Sequence, residues 1–192
     1  KDFLERHHDI SGFEIHGMDD FVIQYIAERW PYKIEYDIDL IRIFNMDIET
    51  KFSNGFPEPA KADQEITAIT VHDSFDNKFW SFTCLEYTPH LPNVNYVKCT
   101  SEEDLLNKFL FYWTNNYPDI LTGYNIVGFD IPYLINRIKR LFGDERANQI
   151  SPWKSCRART FRNKFGAVES FDILGINVLD GIELYKKFIE KS

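Results

Sequence analysis

No apolar stretch in the sequence reaches the roughly 18 residues that a membrane-crossing helix requires, and no charged-then-apolar leader stands at its N-terminus. The expectation is a soluble, unsecreted chain with no membrane partner. Cysteine is scarce. Cys84, Cys99 and Cys156 are far apart and odd in number, which excludes a disulfide framework and fits inert thiols in a reducing compartment. Positive charge is short as well: 22 Lys and Arg stand against 30 Asp and Glu, a net charge of −8. That balance excludes a surface that grips duplex DNA all round, since phosphate neutralisation needs clustered Lys and Arg. It leaves room for a local contact with nucleic acid, and a site for divalent cations is acidic by necessity. There is no internal repeat and no low-complexity segment.

What is present is globular. Of 192 residues, 44% are hydrophobic and 16% aromatic, enough for a substantial core in one domain with or without a flanking piece. Residues 1–36 are mixed, interrupted by HHD and ERWPYK, and read as a peripheral piece in which His7 and His8 are solvated surface. The first residue is Lys1 rather than Met, which raises the expectation of a fragment. The core begins near Ile41.

There the sequence poses a problem. Ile41-Arg42-Ile43-Phe44 leads into Asn45-Met46-Asp47-Ile48-Glu49-Thr50, a strand whose side chains alternate between faces, so Asp47 and Glu49 share one. Two carboxylates side by side with no adjacent Lys or Arg repel each other and resist burial. Taken alone they read equally well as solvated strand-end acids.

Further along, 66–71 and 78–82 read as strands around the turn-like 73–77, giving with the first an antiparallel meander, and 91–98 as a short strand. Ser101 is set to cap a helix with acids in its first turn and Leu105, Leu106, Phe109, Tyr112 and Trp113 at helical spacing, stopped by Pro118. A strand follows over 120–125. A helix over 129–142 carries Ile131, Leu134, Ile135, Ile138 and Leu141 on one face, with Gly143 past its end. Asp130, by itself, reads as the N-cap of that helix. Residues 154–164 carry five positive charges and no acid, and read as a hairpin turning near Gly166. The order of elements is α/β with a mixed sheet. Asp172 and Asp180 are candidate supporting acids without an assigned role, and His72 and His90 read as structural.

DIET at 47–50 and GYNIVGFDIPYL at 123–134 resemble the first two exonuclease motifs, Asp-x-Glu and Asn-x-x-x-Phe-Asp, of the 3′–5′ exonuclease domain of family B DNA polymerases, most closely those of T4-like bacteriophages. GFEIHGMDDF, GFPEP, AITVHDS, GINVLD and LYKKF are similar to phage segments in the same order, so the likeness runs from about Gly12 to Phe188. The resemblance implies an RNase H-like (DnaQ-like) mixed sheet with flanking helices and a β-hairpin insertion. It implies that residues 1–36 are a remnant of the polymerase N-terminal domain and 37–192 the exonuclease domain. It implies two divalent ions, Mg²⁺ or Mn²⁺, with Asp47 bridging both, Glu49 holding the nucleophile-side ion and orienting water, and Asp130 holding the other. It assigns DNA contacts to Phe56, Asn125 and Phe129, and to Arg159, Arg162 and Lys164 of the basic hairpin. Tyr124 stands where the phage enzymes have Trp. The implied partners are single-stranded or primer–template DNA, the remainder of the polymerase in the same gene or a second polypeptide, and replisome proteins, in the cytoplasm of a bacterial host.

One departure is serious. The family's third motif, Tyr-x-x-x-Asp, is missing: none of the ten tyrosines has Asp four residues on. The expectation is therefore an exonuclease domain truncated before that motif, whose isolated chain binds metal weakly and degrades DNA slowly or not at all. A rival from a different class is a DNA-binding or scaffold fragment of a split polymerase; a more distant one is a stand-alone nuclease acting on RNA.

Overall fold

The computed structural model describes residues 21–35, 37–53, 55–163 and 166–188; at Phe21, Arg162, Asn163, Gly166 and Ala167 it describes the backbone alone. His7 and His8 lie outside the described residues. The chain divides into two units, 1–37 and 38–192. The described part of the first holds one helix, α1 (Phe21–Arg29), where the sequence suggested no element.

The second unit is built on a six-stranded mixed sheet in the order β4-β3-β2-β1-β5-β8, comprising β1 (Ile43–Thr50), β2 (Ile66–Asp73), β3 (Lys78–Thr83), β4 (Val94–Lys98), β5 (Ile120–Gly123) and β8 (Asn177–Asp180). The expected meander is there: β2 runs antiparallel to both β1 and β3. β4 begins at Val94 rather than Leu91 and lies parallel to β3, because the chain crosses back through 84–93 before re-entering the sheet. β5 joins β1 in parallel, and β8 joins β5 in parallel. A separate two-stranded ribbon, β6 (Cys156–Asn163) and β7 (Gly166–Ile173), is the expected hairpin; its pairing runs out to Asn163 opposite Gly166.

Two helices cover one face of the sheet. In α2 (Glu102–Asn115) the Ser101 side chain accepts Asp104 N–H at 3.2 Å, and three acids fill the first turn, both favourable at a helix N-terminus. Its apolar stripe meets β1 through Phe44, which stacks on Tyr112 and meets Trp113 edge-on. In α3 (Asp130–Phe142) Ile131, Leu134, Ile135 and Ile138 are buried as their spacing requires. Met46, Leu121, Trp113, Ile131, Leu134 and Ile135 close around one interior region, so both helices share the face of β1 that carries Phe44, Met46 and Ile48. Short helical pieces, α4 (Asp144–Ala147) and α5 (Gly181–Phe188), follow.

Arg42 and Asp73 form an ion pair in which the carboxylate is buried and the guanidinium partly so; Arg137 and Glu102 form another, between α3 and the start of α2. Arg42 donates to both Asp73 oxygens, at 2.5 to 3.2 Å, and the Tyr112 hydroxyl donates to the same carboxylate at 2.8 Å. Burial alone would raise the pKa of Asp73. The Arg42 hydrogen bond, the Phe75 N–H and the Tyr112 hydroxyl outweigh it, and the carboxyl titrates below its ordinary value.

Candidate active site

The alternation along β1 puts Phe44, Met46 and Ile48 into the core and leaves Asn45, Asp47 and Glu49 exposed on the opposite face. Asp47 lies there in an open depression with Asn45, Thr70, His72 and Phe79. Lys51, two residues past Glu49, is no counter-ion for it, because Lys51 pairs with Glu65.

The third acid arrives by a different route. β5 pairs with β1 only as far as Asn45 opposite Thr122, so beyond that point the flank of β1 facing β5 has no strand partner. At Gly123 the chain turns away. A Cβ there would sit 2.5 Å from the Met46 carbonyl, so only glycine lets the two backbones come so close. Asn125 takes a left-handed conformation (φ 56°), which asparagine tolerates better than most residues. Its carbonyl accepts the N–H groups of Gly128 and Phe129, each at 3.0 Å. The turn delivers Asp130 as the first residue of α3, with Phe129 in the cap position and no side chain capping it. Asp130 is thus not the N-cap that its place in the sequence suggests. Its Oδ1 accepts Ile48 N–H at 3.0 Å, filling the position on β1 that the short β5 leaves vacant.

Asp130 is 3% exposed, and none of Asp47, Glu49 or Asp130 is in an ion pair among the described residues. Burial pushes the Asp130 carboxyl up to about 7; the Asp47 and Asp180 charges push the same way, and the Ile48 N–H opposes them. Carboxylates without a cationic partner are the donor chemistry that hard divalent ions take. Among the described residues, however, no group of three or more His, Cys, Asp or Glu side chains stands close enough to hold a metal ion.

The aromatic candidates do meet. Phe56 is 75% exposed, and its ring lies 6.0 Å from that of Phe129, which stacks on the buried Tyr133 at 5.5 Å. The loop carrying Phe56 is fastened to α3 along one side. Gln64 exchanges two backbone hydrogen bonds with the Tyr133 hydroxyl, Asn136 Nδ2 donates to Pro59 O, and Arg137 donates to Ala62 O. Within the loop, the Gln64 side chain accepts from Ser53 N–H and donates to Gly55 O. Asn125 and Tyr124 are exposed on the turn. On the hairpin, Arg159 pairs with Asp172 at 3.1 Å. Lys164 lies outside the described residues, as does the side chain of Arg162.

Two residues without a role in the sequence reading touch the turn. Asp180 accepts Val127 N–H, and Ser170 donates to Val127 O. GINVLD flagged Asp180; nothing local flags Ser170.

A mixed sheet with Asp-x-Glu on its central strand, and a helix beginning in an acid bonded back to that strand, is the arrangement of an RNase H-like exonuclease. Comparison with known proteins is specific. The family model "DNA polymerase family B, exonuclease domain" matches residues 23–192. The DNA-directed DNA polymerase of Escherichia phage RB69 is 37% identical, over 97% of this chain and 23% of its own length. That of Enterobacteria phage T4 is 34% identical, over 98% of this chain and 24% of its own length. The DNA polymerase delta catalytic subunit of Dictyostelium discoideum is 36% identical over 104 residues, 52% of this chain and 9% of its own. The chain belongs to the exonuclease domain family of family B DNA polymerases, and it spans about a quarter of the length of the two phage polymerases.

Proposed function

We propose that the chain is the 3′–5′ proofreading exonuclease module of a phage-type DNA polymerase, acting in a bacterial cytoplasm. The observation that carries this reading is the hydrogen bond from Ile48 N–H to Asp130, which fixes the carboxyl of the second motif against the strand of the first. In the reaction, a water oxygen bonds to the phosphorus of the terminal phosphodiester of a single strand. The P–O3′ bond breaks, and the electron pair and a proton go to the 3′ oxygen left on the shortened strand. Two divalent ions, Mg²⁺ or Mn²⁺, would supply charge stabilisation for the attacking and leaving oxygens, held by Asp47, Glu49 and Asp130. Glu49, exposed on the same face of β1 as Asp47, would orient the water. Phe56 and Phe129 offer ring faces to a terminal base, a sequence-tolerant hold. Asn125 would position the last nucleotide. Arg159, Arg162 and Lys164 of the hairpin would draw phosphates locally against an acidic total.

The remaining partners are the rest of the polymerase and, through it, replisome proteins; residues 1–36 would be part of the polymerase N-terminal domain. The 192 residues carry two of the three acidic motifs, so the chain by itself would bind metal weakly and hydrolyse DNA slowly or not at all. The lack of a three-acid cluster among the described residues favours a second reading, a DNA-binding piece without catalysis of its own.

Mixing the chain with a polypeptide carrying the Tyr-x-x-x-Asp segment of a phage relative, with Mn²⁺ and a single-stranded oligodeoxynucleotide, separates the two. Hydrolysis from the 3′ end that Asp47→Ala abolishes supports the exonuclease. DNA binding without hydrolysis supports the second reading, and hydrolysis of ribo- but not deoxy-oligonucleotide overturns both.

A further inference from the structure

The turn 124–129 carries Asn125 and Phe129 and delivers Asp130 to β1. Its middle residue, Val127, is held at both of its backbone polar atoms. Asp180 Oδ2 accepts the Val127 N–H at 3.0 Å, and Ser170 Oγ donates to the Val127 carbonyl at 2.7 Å. Neither partner is local: Ser170 stands 43 residues downstream on β7, and Asp180 stands 53 residues downstream at the end of β8. Both are buried. Asp180 has no slack, since its other oxygen accepts Ile182 N–H at 2.9 Å. The first residue of α5 also lies tight against the start of the turn, where a Cβ on Gly181 would come within 3.1 Å of the Gly123 carbonyl.

Ser170 pairs across the ribbon with Arg159, in the basic strand of the hairpin. One hydroxyl therefore joins the hairpin to the turn that sets the acidic site. A buried hydroxyl left without its acceptor, or a carbonyl without its donor, is costly, so the pair resists sliding and transmits displacement of one element to the other.

We propose that Ser170 is a positioning residue: through the Val127 carbonyl, opposite Asp180 at the Val127 N–H, it couples the β6–β7 hairpin to the placement of Asn125, Phe129 and Asp130. Its functional meaning rests on the exonuclease reading of that site.

Ser170→Thr and Ser170→Val in the 192-residue chain have nearly equal volume and differ by the hydroxyl. Amide hydrogen exchange at Gly128, Phe129 and Ile131 reads the turn directly. The amides of Ile69 and Phe82 report the sheet core, and Mn²⁺ binding followed by electron paramagnetic resonance reads the acids. The expected result for Ser170→Val is exchange about tenfold faster at the turn alone and Mn²⁺ affinity lower by about tenfold, the scale for losing a group that orients a metal ligand. Ser170→Thr restores both. If neither β-branched side chain fits, Ser170→Ala against the wild-type chain gives the same comparison. Equal behaviour with and without the hydroxyl, or faster exchange spread evenly into the sheet core, overturns the proposal. Absence of Mn²⁺ binding in the wild-type chain counts against the exonuclease reading, while exchange at the turn still decides the role of Ser170.

Discussion

The N–H of Ile48 and the carboxylate of Asp130, 82 residues apart in the chain, meet at 3.0 Å on the flank of β1 that faces β5, beyond the end of their pairing. A backbone donor on an inner strand is ordinarily matched by a neighbouring strand's carbonyl. Here β5 stops at Gly123, and an acid takes its place. Burial of a carboxylate, with the Asp47 and Asp180 charges adding to its effect, follows from that substitution.

Asp130 therefore weakens the fold at neutral pH. Its carboxyl is pushed up to about 7, above its ordinary value near 4, so between these pH values the native state holds more protons than the unfolded chain. Its contribution to stability is complete below about pH 4 and is lost as pH rises through about 7. Asn keeps an acceptor for Ile48 N–H and carries no charge. Urea unfolding of Asp130→Asn without divalent metal should give a variant more stable than the wild type at pH 8, with the difference shrinking as pH falls to 4.

Asp73→Ala removes the acceptor shared by Arg42 and Tyr112 and leaves the Arg42 guanidinium partly buried without its carboxylate. Breaking such a pair costs about 3–5 kcal/mol. Chemical denaturation should show a loss of that order, with the slope against urea unchanged.

Phe56 projects from its loop with most of its surface in solvent. Phe56→Ala should change stability by no more than about 0.5 kcal/mol. Fluorescence anisotropy with a labelled single-stranded oligothymidylate should show binding weakened by about 1–3 kcal/mol, the range for one base–aromatic stack.

Gln64 holds the Phe56 loop from inside through Ser53 and Gly55. Gln64→Ala leaves that donor and acceptor to find other partners, at about 1–3 kcal/mol. The loss should appear as faster proteolytic nicking between residues 51 and 60 before any change in the sheet.

Much of this architecture is legible in the sequence because the signals are local. The cap at Ser101, the apolar stripe from Leu105 to Trp113 and the alternation through Met46 and Ile48 each fix an element without reference to the rest of the fold. Relations between distant elements are not written that way. β4 runs parallel to β3 although only ten residues separate them, and β8 is four residues long, with a strand character that depends on lying beside β5. Asp130 reads locally as a cap because a helix-initial Asp has the same signature whether its carboxylate turns to its own helix or to another strand. Ser170 gave no signal at all, since its significance lies in the carbonyl it reaches. The acids are singled out for the role proposed above by their spacing and the likeness to polymerase motifs.

Mn²⁺ titration of the 192-residue chain near pH 8, followed by electron paramagnetic resonance alongside Asp47→Asn and Asp130→Asn, tests whether these carboxylates hold divalent ions together. If they do, the wild-type chain binds weakly and either substitution reduces its affinity about tenfold or more. Affinity unchanged in both variants would show that they do not.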